Sequence, residues 1–443
     1  MLEGLDELCE ATLTEHDCPS LSVAVAVGGE LALAEAYGWA DRTQRLPAAP
    51  RTAYALASVT KPITATAVCL AADERLLHLD SPVPLDAGGR LNAPTVRQLL
   101  QHTGGLAAHY DFHYGGAERR IDADPYTALY REPGSSFEYA NLGYRLLGQV
   151  LESATGQPLD EFLRERVFAP LGLSSCHLGA SYPGPGASAV RYTIDGRPYP
   201  TACDTSHPGA SLGWATAPEL ALFAQSCNRL LKPETAAATC DAVPVNSFLG
   251  YGLGWCLSYG AGPAIRSHGG GMGGVAAMTV AVPAQRLSVA VLSNSTNKSA
   301  RDAVVRYVLS DLVPGFRPEQ ISPAVPGSSR PARLPQGAWN GRISTPEGDV
   351  HIALRMPEDG QAELQMADSR ATGPVVCSKE REVRLAFPLQ LPTADARVNS
   401  PLLELELRVE QGRLRGVARA CKDGDREGLL GNMLTHPCEL EPR

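Results

Sequence analysis

Residues 53–74 read AYALASVTKPITATAVCLAADE. Ser58 stands three positions ahead of Lys61, and the run that follows is Ala-rich, free of glycine, and carries Pro62 early enough to sit in a first helical turn. The pattern predicts a helix over 58–74 with Ser58 and Lys61 on one face. A serine hydroxyl is a poor nucleophile until a base takes its proton, and a desolvated lysine can be that base. A serine at a helix start is also an ordinary cap. These four residues fit both readings, so the rest of the chain has to decide.

Two further stretches carry polar groups of the complementary kind. In EYANLGY (138–144), Tyr139 and Asn141 lie two apart, just ahead of a helix predicted over 141–155 and capped by Gly156. A phenol beside Lys61 can shuttle a proton between Ser58 and a leaving group, and an amide can orient a carbonyl or the lysine. Taken alone, the same pair reads as a packed tyrosine and an asparagine cap. In RSHGGGMGG (266–274), His268 precedes three glycines at the edge of a predicted strand. Glycines there let a substrate backbone approach and leave N–H groups free to hold an oxyanion, with a flexible hairpin as the plainer reading.

Taken together and in this order, S-x-x-K at 58, Y-x-N at 139 and H-x-G at 268 resemble the serine β-lactamase and penicillin-recognising family. The likeness is to its class C β-lactamase-like branch of esterases, D-aminopeptidases and DD-carboxypeptidases, many of which carry H-x-G where the lactamases proper carry K-T-G. TVRQLLQHTGGL (95–106), the segment 133–173 and YGLGW (251–255) also resemble the family's stereotyped segments, so the likeness spans about residues 5–312. It implies Ser58 as the acylated nucleophile, Lys61 as its activator, Tyr139 as general base and acid, and Asn141 as substrate-positioning. His268 would occupy the third motif. The oxyanion hole would come from the Ser58 N–H and a glycine near Gly271, with Gly270 beside it against the substrate. Gly104-Gly105 stands where relatives often have Ser-Gly, and Leu212-Gly213 where many have Gly-Gly; both departures bear on pocket shape.

The order of elements supports an α+β fold. A hairpin (strands near 21–27 and 31–38), many helices, a run of strands after 249 and a helix near 298–311 imply an antiparallel sheet built from both ends of the segment 1–312, with an all-helical insertion. Residues 313–335 are rich in Pro, Gly and Ser and read as a linker. Residues 336–443 show short alternating strands between E-G, D-G and Q-G turns, which predicts a small antiparallel, lipocalin-like β-barrel.

Composition narrows the partners. The 443 residues are 44% hydrophobic and 20% charged with a net charge of −9, which speaks against nucleic acid or an anionic membrane. The first 20 residues form an acidic amphipathic pattern without an apolar leader, and no run of about 18 apolar residues exists, so the expectation is a cytoplasmic protein. Eleven cysteines form no C-x-x-C and read as buried or free thiols. HYDFH (109–113) sits in a loop without a third ligand pattern, so neither metal nor cofactor is expected.

Missing export and a barrel after a Pro-rich linker resemble the standalone penicillin-binding-protein-type thioesterases. Those enzymes take a peptidyl thioester from a nonribosomal peptide synthetase carrier domain and close it head to tail, commonly at a C-terminal D-residue. The resemblance thus implies a peptide macrocyclase. A cytoplasmic D-aminopeptidase, DD-carboxypeptidase or esterase is the alternative, with a non-catalytic peptide- or β-lactam-binding sensor behind it. Arg426, in KDGDREGLLGNMLTH (422–436), is a candidate contact for the substrate's backbone or carboxylate, or else a surface arginine on a turn beside Asp423 and Asp425.

Overall fold

The structure, a computed structural model, describes residues 2–85, 91–115, 121–260, 262–321, 336–357, 360–376, 382–393, 402–421, 424–426 and 428–443. Its first unit is a nine-stranded antiparallel sheet. The main strands are β1 (Ser20–Val27), β2 (Glu30–Asp41), β3 (Leu249–Tyr251), β4 (Cys256–Ser258), β5 (Arg266–Met272), β6 (Val275–Val282) and β7 (Leu287–Ser293). They lie in the order β2-β1-β7-β6-β5-β4-β3, with Leu46–Pro47 and Val243–Pro244 at the edges, so the two ends of the segment meet at β1 and β7.

The central strands are buried on both faces, and their alternation is one of size rather than polarity. Val23, Val25, Val280, Val289 and Val291 pack with Leu5 and Cys9 of α1 (Leu5–Glu15) and with Val304, Val305 and Val308 of the helix Ser299–Leu312. Ala24, Ala26, Ala277, Ala281 and Ala290 face the helical layer instead. Small side chains there bring that layer close to the strands, and the site sits in the seam between them.

Within the helical layer, α2 (Thr60–Asp73) is the buried central helix, and α3 (Asn141–Thr155) packs against it. The predicted bounds of α3 coincide with the observed ones, and Gly156 ends it at φ 70°, the left-handed conformation a C-cap requires. The 95–106 stretch is helical only over Val96–Leu100, because Thr95 and Gln98 form a capping box and the chain turns out after one and a half turns. The linker segment 313–335 is described only as far as Ile321; there Pro318–Gln320 forms a helical turn with Gln320 buried, and 322–335 lie outside the described residues.

The second unit is a closed barrel of eight strands in sequence order, from Gly337–Thr345 to Leu434–Pro442, the first pairing with the last. Its interior is filled by alternate residues such as Leu403, Leu405, Leu407, Phe387 and Leu440. Nine cysteines of the described residues are free thiols, and Cys377 lies outside those residues. Among the described residues no helix is long and apolar enough to cross a membrane.

Candidate active site

Ser58 does not lie on the helix proper. It sits in a 3-10 turn, Ala57–Val59, that feeds α2. Ala57 is held at φ 46°, a left-handed conformation unusual for a residue with a side chain and of the strained kind found at active sites. Lys61, in the first turn of α2, is completely buried; its Nζ lies 3.1 Å from Ser58 Oγ and donates to Ala210 O at 3.2 Å. No acidic side chain pairs with it among the described residues. Burial therefore drives its pKa well below the ordinary lysine value, which favours the uncharged amine.

The Tyr139 ring centroid lies 4.6 Å from Lys61 Nζ. Burial, with the Tyr110 phenol beside it, pushes Tyr139 well above the usual tyrosine range, and its hydrogen bond to Ser58 offsets only part of this. At neutral pH Tyr139 is thus a protonated phenol. Asn141 is no cap: Ala140 holds that position, and Asn141 Nδ2 donates to His109 O at 2.8 Å. Its buried Oδ1 has no partner among the described residues.

His268 is buried on β5 with Nε2 3.0 Å from the Tyr251 hydroxyl and Nδ1 2.8 Å from Gly269 O. Burial and the neighbouring Lys61 lower it to about 3, so the third motif presents a neutral imidazole rather than a cation. Next to it, a Cβ on Gly270 would lie 2.1 Å from Leu56 O, which makes glycine obligatory where β5 approaches the Ser58 turn. A Cβ on Gly271 would meet only the flexible end of Lys298. Leu212-Gly213 also shapes this turn, since Gly213 N–H donates to Thr60 Oγ1 at 2.8 Å and Leu56 N–H to Gly213 O at 2.8 Å.

Residues 5–312 match the family described as Beta-lactamase. The chain belongs to the beta-lactamase family. A D-aminopeptidase from Cereibacter sphaeroides (strain ATCC 17023) is 26% identical over 398 residues, 84% of this chain and 72% of the relative. The solved structure of SurE with D-Leu superposes with a TM-score of 0.64 at 21% identity, covering 98% of both chains, so the likeness includes the barrel. The D-amino acid amidase from Ochrobactrum anthropi SV3 complexed with D-phenylalanine aligns at a TM-score of 0.57 and 21% identity, over 70% of this chain and all (100%) of that one.

In this beta-lactamase-family chain the barrel packs against the segments around Tyr139, through residues other than Arg426. Tyr110 and Met433 exchange backbone hydrogen bonds at 2.8 Å each, Phe112 N–H donates to Asn432 Oδ1 at 2.8 Å, and Leu434 joins the core of the helical layer. Two barrel side chains, Glu406 and Arg419, interleave with Arg131 and Glu138 of the catalytic unit. Arg419 contacts Glu138 at 2.6 Å and Glu406 at 3.1 Å, while Arg131 contacts Glu406 at 2.9 Å and Glu138 at 3.1 Å. Glu138 is the residue before Tyr139.

Arg426 is exposed on its turn, and its neighbour Asp425 is the anchored residue. Asp425, fully buried, accepts from Ile194 N at 3.0 Å, from the Tyr199 hydroxyl at 2.7 Å and from Thr296 Oγ1. Asp423 lies outside the described residues.

The HYDFH segment is buried rather than open to the cleft at His109 and Asp111. His109, His113 and His207 approach the Asp111 carboxylate at 3.4, 3.6 and 3.2 Å, and Ser206 donates to it from N and Oγ. Burial alone would raise Asp111, but the imidazoles bring it well below the usual carboxylate range. Among the described residues no group of His, Cys, Asp and Glu has the arrangement of a metal site.

Proposed function

We propose that this chain is a serine acyltransferase that takes a peptidyl thioester onto Ser58 and releases it by head-to-tail macrolactamisation. The observation that carries the acyl-transfer step is the buried, acid-free Lys61 amine 3.1 Å from Ser58 Oγ. In acylation, Ser58 Oγ bonds to the thioester carbon as its proton passes to Lys61. The carbon–sulfur bond breaks, and Tyr139 gives its proton to the departing thiolate. The enzyme then holds a Lys61 ammonium near a Tyr139 phenolate, two opposite charges in a dry site. In release, the peptide's own N-terminal amine attacks the ester, Tyr139 takes back a proton from that amine, and Lys61 returns one to Ser58. The developing oxyanion would be held by backbone N–H groups of Ser58 and Gly271.

Cyclisation over hydrolysis requires water to be kept out and the amine to be kept near. The barrel contacts at 110–112, 131–138 and 194–199 support this, because they pack barrel residues against the loop that carries Tyr139 and against its neighbours. Arg426, on the barrel turn fixed by Asp425, is in this reading the contact for the substrate's backbone or carboxylate. A D-residue at the acylating end finds support in the D-aminopeptidase relative. A nonribosomal synthetase carrier domain would deliver such a substrate. The same relative favours a second reading, hydrolysis of D-residue peptides or amides through the identical acyl-enzyme.

The test is a peptidyl N-acetylcysteamine thioester with a free N-terminus and a C-terminal D-residue, its products resolved by mass spectrometry. Cyclic product supports the cyclase reading. Linear acid alone overturns it in favour of the hydrolase. Turnover by Ser58→Ala would overturn both.

A further inference from the structure

One buried histidine near the reacting groups has no part in the steps above. His102 follows the short helix Val96–Leu100, is 2% exposed, and sits at φ 57°. A non-glycine residue in the left-handed region is held there by its surroundings. Those surroundings are the N–H groups of the two residues that flank Tyr139. The Glu138 N–H donates to His102 O at 2.8 Å, and the Ala140 N–H donates to His102 Nδ1 at 3.1 Å. The imidazole also lies against the Tyr139 ring, with centroids 4.2 Å apart and planes tilted by 38°. Phe137, Tyr144 and Tyr251 complete the box of rings around it.

We infer that His102 is a positioning residue for Tyr139, fixing the phenol for proton transfer to the leaving group. The inference rests on the reading that Ser58 is acylated with Tyr139 as its acid. One residue constrains the tyrosine three ways: its carbonyl holds the backbone before Tyr139, its Nδ1 holds the backbone after it, and its ring lies against the phenol, so a substitution here reaches only the last two. The Nδ1 bond requires that nitrogen to be an acceptor, so the imidazole is neutral and its hydrogen is on Nε2. Burial, Lys61 and His268 all act in the same sense and keep the imidazole uncharged. A cation there would lose the Ala140 bond and crowd a second positive charge against Lys61 as it becomes an ammonium. Nε2 has no partner among the described residues, an uncommon expense for a buried donor and one that packing alone would remove by placing leucine here.

The role makes a demand that a purely structural one does not. Misplacing an acid hurts only when the leaving group needs its proton. His102→Phe keeps the ring and loses the acceptor; His102→Asn keeps an acceptor at the Nδ1 position, tolerates the left-handed backbone, and loses the ring. Acylation should be timed with two acyl donors of the same acyl group, an alkyl thioester and a p-nitrophenyl ester. His102→Phe should slow the thioester ~100-fold and the nitrophenyl ester less than ~10-fold, with KM little changed. His102→Asn should slow the thioester ~10-fold. On a Tyr139→Phe background each substitution should cost less than ~3-fold more. If His102→Phe does not fold, His102→Asn and its loss of effect on the Tyr139→Phe background carry the test. Equal losses on both donors, or losses that add fully to Tyr139→Phe, overturn the inference. An absent acyl adduct in the unsubstituted protein, by contrast, would strike at Ser58 itself.

Discussion

Asp425→Ala tests the clasp between the barrel and the catalytic unit. The carboxylate accepts three hydrogen bonds at a fully buried site, and Arg197 reinforces the same turn by donating to Asp425 O at 2.9 Å and Gly428 O at 2.8 Å. Hydrogen bonds to a charged partner contribute about 1.5–3 kcal/mol each, and an alanine leaves the Tyr199 hydroxyl and the Ile194 N–H without their acceptor. Water entering the vacated space recovers part of this, so the net loss should be about 4 kcal/mol. Asp425→Asn keeps an acceptor for Ile194 N–H, but Tyr199 already accepts from Leu430 N–H at 2.9 Å and has little capacity left for an amide donor. Its loss should be about 1–2 kcal/mol. Urea unfolding followed by tryptophan fluorescence suits the measurement, because Trp214 and Trp255 of the catalytic unit and Trp339 of the barrel are all buried and report on both units. Alongside it, turnover of a long peptidyl thioester should fall while that of p-nitrophenyl acetate holds. A loss under about 1 kcal/mol for Asp425→Ala, or equal losses for the two variants, would refute the reasoning.

Three other expectations follow from the geometry. Gly270→Ala should abolish acylation by a fluorophosphonate probe, since its Cβ would lie 2.1 Å from Leu56 O, whereas Gly271→Ala should keep at least about a tenth of the rate because Lys298 can move away; equal losses would sink the distinction. His436 is lowered from 6.5 to about 4 by burial and by His109, so between those values the unfolded chain binds a proton that the folded one refuses. Stability should therefore fall as the pH drops through that window, by up to about 3 kcal/mol from this residue, and His436→Asn should flatten the slope seen in denaturation at pH 7 and pH 4.5. Arg419→Ala should destabilise by about 3 kcal/mol, because it leaves Glu138 and Glu406 buried with Arg131 as the nearest cation, while the added Glu138→Gln should restore about 1 kcal/mol or more; strict additivity would show the ions are uncoupled.

Much of the fold could be read from local pattern. The Gly28-Gly29 hairpin, α3 and its Gly156 cap, and the alternation of LLELELRVE (402–410) each follow from rules acting over a few residues, and the structure repeats them. The motif order was legible too: Lys61 Nζ reaches Ser58 Oγ, the Tyr139 ring lies beside Lys61 and 6.4 Å from the His268 ring, and Asn141 is bonded to His109 O, although Ser58 precedes the helix it was placed on. What stayed hidden depends on contacts between distant segments. The alternation assigns Glu406 to the outer face of the barrel, where solvent is the natural expectation, yet that face is covered by the catalytic unit and Glu406 is buried. In GDREG the arginine drew notice as the long, charged group, but the short aspartate beside it fits the buried pocket. His102 lies within TVRQLLQHTGGL (95–106), and nothing about a lone histidine after LLQ tells which backbone N–H groups will meet it.

The contacts between the barrel and the Tyr139 loop also set a timetable. Phe112 and Asn432 are separated by 320 residues of chain. At roughly 5–20 residues per second, ribosomes make the second about 16–60 s after the first. For most of that interval Ser58, Lys61 and Tyr139 already exist, but Arg419, Asn432 and Met433, whose partners lie at 110–138, do not. A nascent chain thus carries Ser58, Lys61 and Tyr139 well before it carries the barrel residues that hold the Tyr139 loop.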